Sequence, residues 1–306
     1  MNKGYDLAII GAGPAALSAA VYASRYGMSV IIFEQSVIGG QVATADAVDN
    51  YLGFPDGIAG LELAGYMEKQ AKRFGANIQF GKVTGLENVD NGRVLLRVDS
   101  GDIVAKAVLI ATGSGYRHLG IPGEDDYAHY CATCDGAFYK GKNIITVGGA
   151  NAAVQETLYL AKITSHVTML VRSYIKSDQT LKDKLDREIV NGKVSLMEGW
   201  QPLEIISQDN KFVGVRATNG SNDQLVAGDG IFIFAGQTPN SSFLAGSAVQ
   251  CDEAGYVLTD NELHTSMTNV WAAGDIRSGT AKQIATASAD GARAAMSIRN
   301  HFREIS

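Results

Sequence analysis

Tyr5-Asp6-Leu7-Ala8-Ile9-Ile10 runs directly into Gly11-Ala12-Gly13-Pro14-Ala15-Ala16, and the fold follows from how that passage is read. The first six residues are a short apolar run of strand length. The next six fit the spacing G-x-G-x-x-A, and an alanine-rich segment of helical character continues to about Tyr26. Each small residue has a physical task in such a turn. The first glycine makes the sharp bend, the second lets the backbone approach a pyrophosphate, and the small third residue lets the helix pack on the strand. The helix N-terminus then faces the phosphates. A second strand is predicted over residues 29–33. It ends in Glu34, placed 23 positions after Gly11 (34 − 11), where an acid can accept hydrogen bonds from ribose hydroxyls. Strand, turn, helix and terminal acid in register predict a dinucleotide site.

Outward from this passage, Gly39-Gly40-Gln41 and Asp49-Asn50-Tyr51-Leu52-Gly53-Phe54-Pro55 read as loops. An amphipathic helix is expected over residues 60–74 and short strands over 77–105. A strand at 107–110 enters the small-residue turn Ala111-Thr112-Gly113. The pattern then returns. Residues 143–147 read as a strand, Gly148-Gly149-Ala150-Asn151-Ala152-Ala153 as a turn, and 154–162 as a helix. A strand at 167–171, a helix at 180–190 and several short strands over 193–234 follow. The run Phe232-Ile233-Phe234-Ala235-Gly236-Gln237 closes this half as residues 109–113 closed the first. Last come Val270-Trp271-Ala272-Ala273-Gly274-Asp275, Ala281-Lys282-Gln283-Ile284-Ala285 and a helix to about residue 302. The expected class is α/β, with two Rossmann-like, three-layer nucleotide-binding domains from a duplicated module.

Between the halves lies Tyr130-Cys131-Ala132-Thr133-Cys134-Asp135-Gly136. Two thiols separated by two residues can close into a disulfide and reopen, and an acid follows the second. Zinc would need four ligands, and only His129, His118 and the distant Cys251 are available to complete a set, so no metal site is expected. His118, His129, His166, His264 and His301 form no spaced cluster and read as structural or surface residues, and Cys251 as an ordinary partly buried thiol. The 306 residues suggest about two domains. The 35 glycines cluster in turn motifs, which marks tight turns and not a flexible linker. A net charge of −6 argues against a nucleic-acid partner. No stretch approaches ~18 consecutive apolar residues, so no transmembrane helix is expected. Asp6 and the glycine–proline turn interrupt anything resembling an export signal, so a cytoplasmic location is expected.

The motifs GAGPAA, GGQ, DNYLGFP, ATG, CATCDG and AAGD, taken together over essentially the whole chain, resemble those of the low-molecular-weight flavin thioredoxin reductases. That resemblance implies a discontinuous FAD-binding domain, residues 1–113 and 245–306. Into it is inserted a domain, residues 114–244, that carries the CxxC and the place where NADPH normally sits. By position, Gly11, Gly13, Pro14, Ala15 and Glu34 would hold the ADP half of FAD. Gly40, Gln41, Asn50, Thr112 and Gly113 would lie toward the flavin. Gly274 and Asp275 would reach the ribityl-phosphate region, and Gln283 and Ile284 the isoalloxazine. Cys134 would face the flavin, Cys131 would attack the substrate disulfide, and Asp135 would exchange protons with the thiols. Thioredoxin or a similar disulfide protein would be the acceptor, and the enzyme would be a homodimer whose domains rotate.

The second nucleotide site departs from this pattern. The usual third glycine is Ala150. The usual HRRxxxR clamp on the 2′-phosphate of NADPH is replaced by Val171-Arg172-Ser173-Tyr174-Ile175-Lys176-Ser177. A 2′-phosphate needs converging guanidinium donors, and no acid stands in for them to read a ribose. NADPH is therefore expected to be a poor donor, with ferredoxin or a second FAD in its place. Rival readings are a conventional NADPH-thioredoxin reductase, a flavin dithiol oxidase that passes electrons to oxygen, and a flavin-bearing redox sensor without turnover.

Overall fold

The computed structural model describes residues 4–45, 47–89 and 92–304, and the chain divides into two units, Met1–Gly115 with Thr238–Ser306, and Tyr116–Gln237. The first unit begins with β1 (Tyr5–Ile10), α1 (Pro14–Arg25), β2 (Val30–Glu34), α2 (Gly60–Arg73), β3 (Asn77–Phe80), β4 (Val83–Val89), β5 (Arg93–Val98) and β6 (Ile103–Ile110). Its sheet has the order β3-β2-β1-β6-β5-β4. The first four run parallel, with Ile10 opposite Phe33 on one side and Ile110 on the other; β5 and β4 continue antiparallel. The central strands are apolar throughout because both faces are covered. Leu7 and Ile9 enter the core beneath α1, whereas Ala8 and Ile10 enter a second core with Val94 and Leu96.

The chain crosses at β7 (Ser114–Tyr116) into the second unit. There follow α3 (Glu124–Tyr127), β8 (Ala128–His129), α4 (Ala132–Asp135), β9 (Asn143–Val147), α5 (Asn151–Ile163), β10 (His166–Val171), α6 (Gln179–Val190) and β11 (Val194–Glu198). The unit ends with β12 (Gln201–Gln208), β13 (Lys211–Thr218), β14 (Asp223–Ala227) and β15 (Gly230–Ile233). A parallel sheet of order β11-β10-β9-β15-β8 lies between a helical layer and the antiparallel meander β12-β13-β14. Ile144, Met169 and Phe232 face the helices, while Ile145, Leu170 and Ile231 face Val215 and Val226 of the meander. Each unit is thus a parallel sheet with helices on one face and antiparallel strands on the other, the duplicated three-layer plan expected from the repeated turn.

The chain crosses back at β16 (Gln237–Pro239), which pairs with β7. The first unit is completed by β17 (Val270–Ala272), parallel to β6, and by α7 (Ile284–Glu304). The second unit ends at Gln237 and the first resumes at Thr238. Asn240 already bonds to Gly113 and Thr112, and Leu244 is buried in the first unit's second core. α7 packs along α1 through small residues, Ala15 and Ala19 against Gly291, Ala294 and Ala295. Among the described residues no helix is long and apolar enough to cross a membrane.

Candidate active site

The turn after β1 is built as its spacing requires. Gly11 has φ +95°, and a Cβ there would lie 2.5 Å from the Ala111 carbonyl oxygen. Gly13 is the N-cap of α1 and Pro14 opens the helix, where a missing N–H costs nothing. A Cβ on Gly13 would meet nothing within 4 Å, so the second glycine fronts open space. Ala15 packs against Gly274, whose own Cβ would come 2.9 Å from the Ala15 methyl. Glu34 is buried at the end of β2. Its two oxygens accept from the Ala12 and Ser36 amides, each at 2.8 Å. A recess lined by Gln35, Ser36, Phe80, Gly81, Lys82 and Asp99 opens beside it.

Other residues singled out in the sequence gather in the same unit. Gly40, with φ +57°, starts the short 3-10 turn Gly40–Thr44, and the Gln41 amide donates to the Ser114 carbonyl. The Asn50 side chain donates to that of Gln283 at 3.1 Å, just before Ile284 begins α7. Thr112 and Asn240 exchange side-chain-to-backbone bonds of 2.9 and 2.8 Å beside Gly113. Gly274, with φ +77°, donates its amide to Asp290, which also pairs with Arg277 at 2.6 Å. Asp275 has a buried oxygen, Oδ1, with no hydrogen-bond partner. Burial pushes its carboxyl up to about 6; Lys282 counters this and Asp290 adds to it.

In the second unit Cys131 and Cys134 form a disulfide. Cys131 caps α4, a single turn that carries Ala132 into the core, and the Asp135 amide closes the turn onto the Cys131 carbonyl at 3.1 Å. A Cβ at Gly136 would lie 2.8 Å from the tip of the Leu160 side chain on α5, so glycine lets the chain lie close to that helix without displacing it. Thus α4 packs flat against α5. Two residues given no part in the dithiol chemistry by the sequence stand beside the pair. Glu156 of α5 accepts the Ala132 amide at 3.1 Å, and burial raises its pKa against that hydrogen bond. His129, expected to be structural or at the surface, bonds through Nδ1 to Asp135 at 3.1 Å and through Nε2 to the Tyr139 hydroxyl at 2.7 Å. Upstream, buried Glu124 accepts from the amides of Leu119, Gly120 and Ile121 and from the Tyr130 hydroxyl. Among the described residues no three metal-ligating side chains converge. Cys251 lies in the first unit, partly buried, where burial and then Asp252 push its thiol up.

The second dinucleotide-type turn repeats the first. Gly148 has φ +137°, and a Cβ would lie 2.5 Å from the Phe234 carbonyl oxygen, as at Gly11 and Ala111. Ala150 is the N-cap of α5, where the first turn has Gly13 at the N-cap of α1. The loop after β10 folds back on this turn, with Lys176 donating its amide to the Gly149 carbonyl at 2.7 Å. Arg172 and Ser173 are exposed, and the Lys176 ammonium stands 5.3 Å from the Tyr174 ring centre.

Two nucleotide-binding units, one bearing a redox disulfide, define a disulfide oxidoreductase. The model of the pyridine nucleotide-disulphide oxidoreductase family matches residues 5–291. The thioredoxin reductase of Bacillus subtilis (strain 168) is 36% identical over 99% of this chain and 96% of its own length. That of Treponema pallidum (strain Nichols) is 36% identical over 99% and 98%. The crystal structure of thioredoxin reductase from Streptococcus pyogenes MGAS5005 superposes with a TM-score of 0.91 at 34% identity, covering 99% of this chain and all of that one. The chain therefore belongs to the pyridine nucleotide-disulphide oxidoreductase family, on its thioredoxin reductase branch. The family implies FAD, and the first unit fits it. Gly13 leaves room for a pyrophosphate, Glu34 is a buried acid at the end of β2, and the orphaned Asp275 oxygen lacks the partner that a ribityl hydroxyl would provide. Nothing in these relatives supports a second FAD.

Proposed function

We propose that this chain reduces a protein disulfide of the thioredoxin class, with Cys131 as the attacking thiol, Cys134 facing the flavin and Asp135 exchanging protons with both. The observation that carries the reading is the Cys131–Cys134 disulfide, held on a one-turn helix with Asp135 next in sequence and in bonding contact with a histidine. A thiolate is the attacking species, and exchange proceeds through a mixed disulfide. FAD, when bound, supplies the electron pair; Gly11, Gly13, Pro14, Ala15, Glu34, Gly274 and Asp275 hold it. Asn50, Gln283 and Ile284 line the flavin end, with Gly40, Gln41, Thr112 and Gly113 around them.

We further infer that NADPH is not an efficient donor and that a one-electron carrier such as ferredoxin serves instead. The loop that should clamp a 2′-phosphate offers only Arg172 and Lys176, and the Lys176 ammonium is drawn over Tyr174. A bidentate guanidinium cluster is what such a phosphate needs. The rival is a conventional NADPH enzyme, which the thioredoxin reductase relatives favour. Anaerobic mixing decides between them. Excess NADPH, then NADH, should leave the flavin band unbleached within the turnover time, while reduced ferredoxin bleaches it. Rapid bleaching by NADPH overturns the donor reading and leaves the disulfide chemistry intact. Fast oxygen uptake with a small dithiol would instead make the chain a dithiol oxidase.

A further inference from the structure

We infer that His129 is a positioning residue for the dithiol: it orients Asp135 for proton exchange with the thiols. The inference rests on the reading that Asp135 exchanges protons with the thiols. β8 is only two residues long, yet its pairing with β15 places His129 opposite Phe232, ring on ring at 5.1 Å. One turn later the chain brings Asp135 within 3.1 Å of Nδ1, and the following 3-10 turn brings the Tyr139 hydroxyl within 2.7 Å of Nε2. A carboxylate only accepts, so Nδ1 carries the hydrogen. In the neutral ring Nε2 must then accept, and the Tyr139 hydroxyl donates to it. Burial, then Asp135 and Asp229, push the pKa of Tyr139 up, so the hydroxyl stays protonated. The other charged groups at this end of the unit are Lys142, whose ammonium lies 5.2 Å from the Tyr139 ring, and Glu156, which holds the Ala132 amide.

This arrangement keeps its hydrogen bonds in two protonation states. When the ring gains a proton, Nδ1–H still donates to Asp135, and Nε2–H now donates to the Tyr139 oxygen. Asp135 therefore keeps the same donor in either state of the ring, beside a half-buried redox pair. The exchange it serves balances without other reagents: enzyme dithiol plus R–S–S–R gives enzyme disulfide plus two RSH. The Cys131 thiolate attacks one sulfur and the first RS⁻ leaves, taking up the proton that Cys131 had released. Cys134 gives its proton to Asp135, its thiolate attacks Cys131 Sγ, and the second RS⁻ leaves and recovers that proton. His129 holds Asp135 toward the thiols while the proton resides there. A histidine that fixes the orientation of its acidic partner is a recurrent device.

The test uses the FAD-loaded full-length protein, its dithiol pre-reduced with dithiothreitol and desalted anaerobically. Single-turnover discharge by oxidised thioredoxin is followed from pH 5.5 to 9 for the wild type and for D135N, H129Q, H129Q/D135N and Y139F. Flavin content and circular dichroism report folding. H129Q should slow discharge at pH 7 about tenfold, a fraction of the roughly 10²–10⁴ that positioned proton transfer contributes. It should also move the pH midpoint in the same direction as D135N, with the double variant no slower than D135N alone. Y139F, which keeps the ring and removes only the outer hydrogen bond, should move the midpoint less and in the same sense. If D135N shifts the profile while H129Q and Y139F follow the wild type, His129 is a packing residue and the inference fails alone. If D135N itself leaves the profile unchanged, the role of Asp135 falls and the inference with it. A uniform slowing by H129Q at every pH, additive with D135N, also overturns it.

Discussion

Two glycine-to-alanine substitutions, both inside helices, should change stability in opposite directions. Gly65 lies within α2, and a Cβ there meets nothing within 4 Å. Gly291 lies within α7, where a Cβ would stand 2.0 Å from the Ala15 carbonyl oxygen, 2.8 Å from its carbon and 3.0 Å from the Ala19 nitrogen. Alanine favours a helix interior over glycine by about 1 kcal/mol. At Gly65 that term acts alone, so G65A should stabilise by up to about 1 kcal/mol. At Gly291 the obstacle is backbone of α1, which no rotamer change can move. Ordinary carbon contacts lie near 3.5 Å, so the helices would have to part by more than about 1 Å along a seam of alanines. Overpacking of this kind costs about 1–3 kcal/mol, at times more. Because the obstacle is rigid we place G291A at the upper end, for a net loss of about 2 kcal/mol. For a unit of this size that is a fall of about 4–8 °C in Tm. The first turn of α1 carries Gly13 and Ala15, so the same displacement should loosen the FAD cradle, and flavin should be lost on gel filtration. Thermal melts with flavin fluorescence test both statements. A G291A protein that melts at or above the wild type with full flavin would refute the reasoning.

Two further outcomes follow from buried carboxylates. Asp275 is raised from 3.8 to about 6, chiefly by burial. The folded apoprotein therefore holds a proton there that the unfolded chain has released, so stability falls as pH rises between those values. The contribution is roughly 3 kcal/mol, about two pH units at ~1.4 kcal/mol each. D275N apoprotein should match the wild type near pH 4 and exceed it at pH 7.5 in urea melts, and parallel curves at both pH values would contradict the assignment. Glu124 goes the other way. Burial alone would raise its pKa, but hydrogen bonds from Leu119, Tyr130, Ile121 and Gly120 together hold it below the ordinary value. Its stabilisation is present above the unfolded carboxylate pKa and lost as pH falls through the folded one. E124A leaves donors without a partner at about 1–3 kcal/mol for the first, so the second unit should lose at least that much at pH 7 and less at pH 3.

Which features the sequence disclosed follows from the distance over which each is encoded. The glycine turns, Glu34 and the CxxC-Asp-Gly run are local, because each small residue answers a contact fixed by the strand–turn–helix itself. The Cβ at Gly11 would strike Ala111 and that at Gly148 would strike Phe234, each just past the end of the strand next in the sheet. Repetition of that one collision is why two units could be read from two short motifs. Gly291 has no such signal. Its need for glycine arises from α1, more than 270 positions away, and in sequence it is one small residue in an alanine-rich helix. His129 was missed for a related reason. A two-residue strand is too short to show a periodicity, and the residues between His129 and its partners belong to a turn and not to one continuous strand or helix. Only the pairing of β8 with β15 and the single turn of α4 turn that spacing into contact. The two nucleotide turns share a backbone plan, so the chemistry that separates them lies in the side chains around each. A buried acid ends the second strand of the first unit, and a one-guanidinium loop follows the equivalent strand of the second. The backbone therefore identifies the module, and the residues at the ends of its strands decide what each copy can hold.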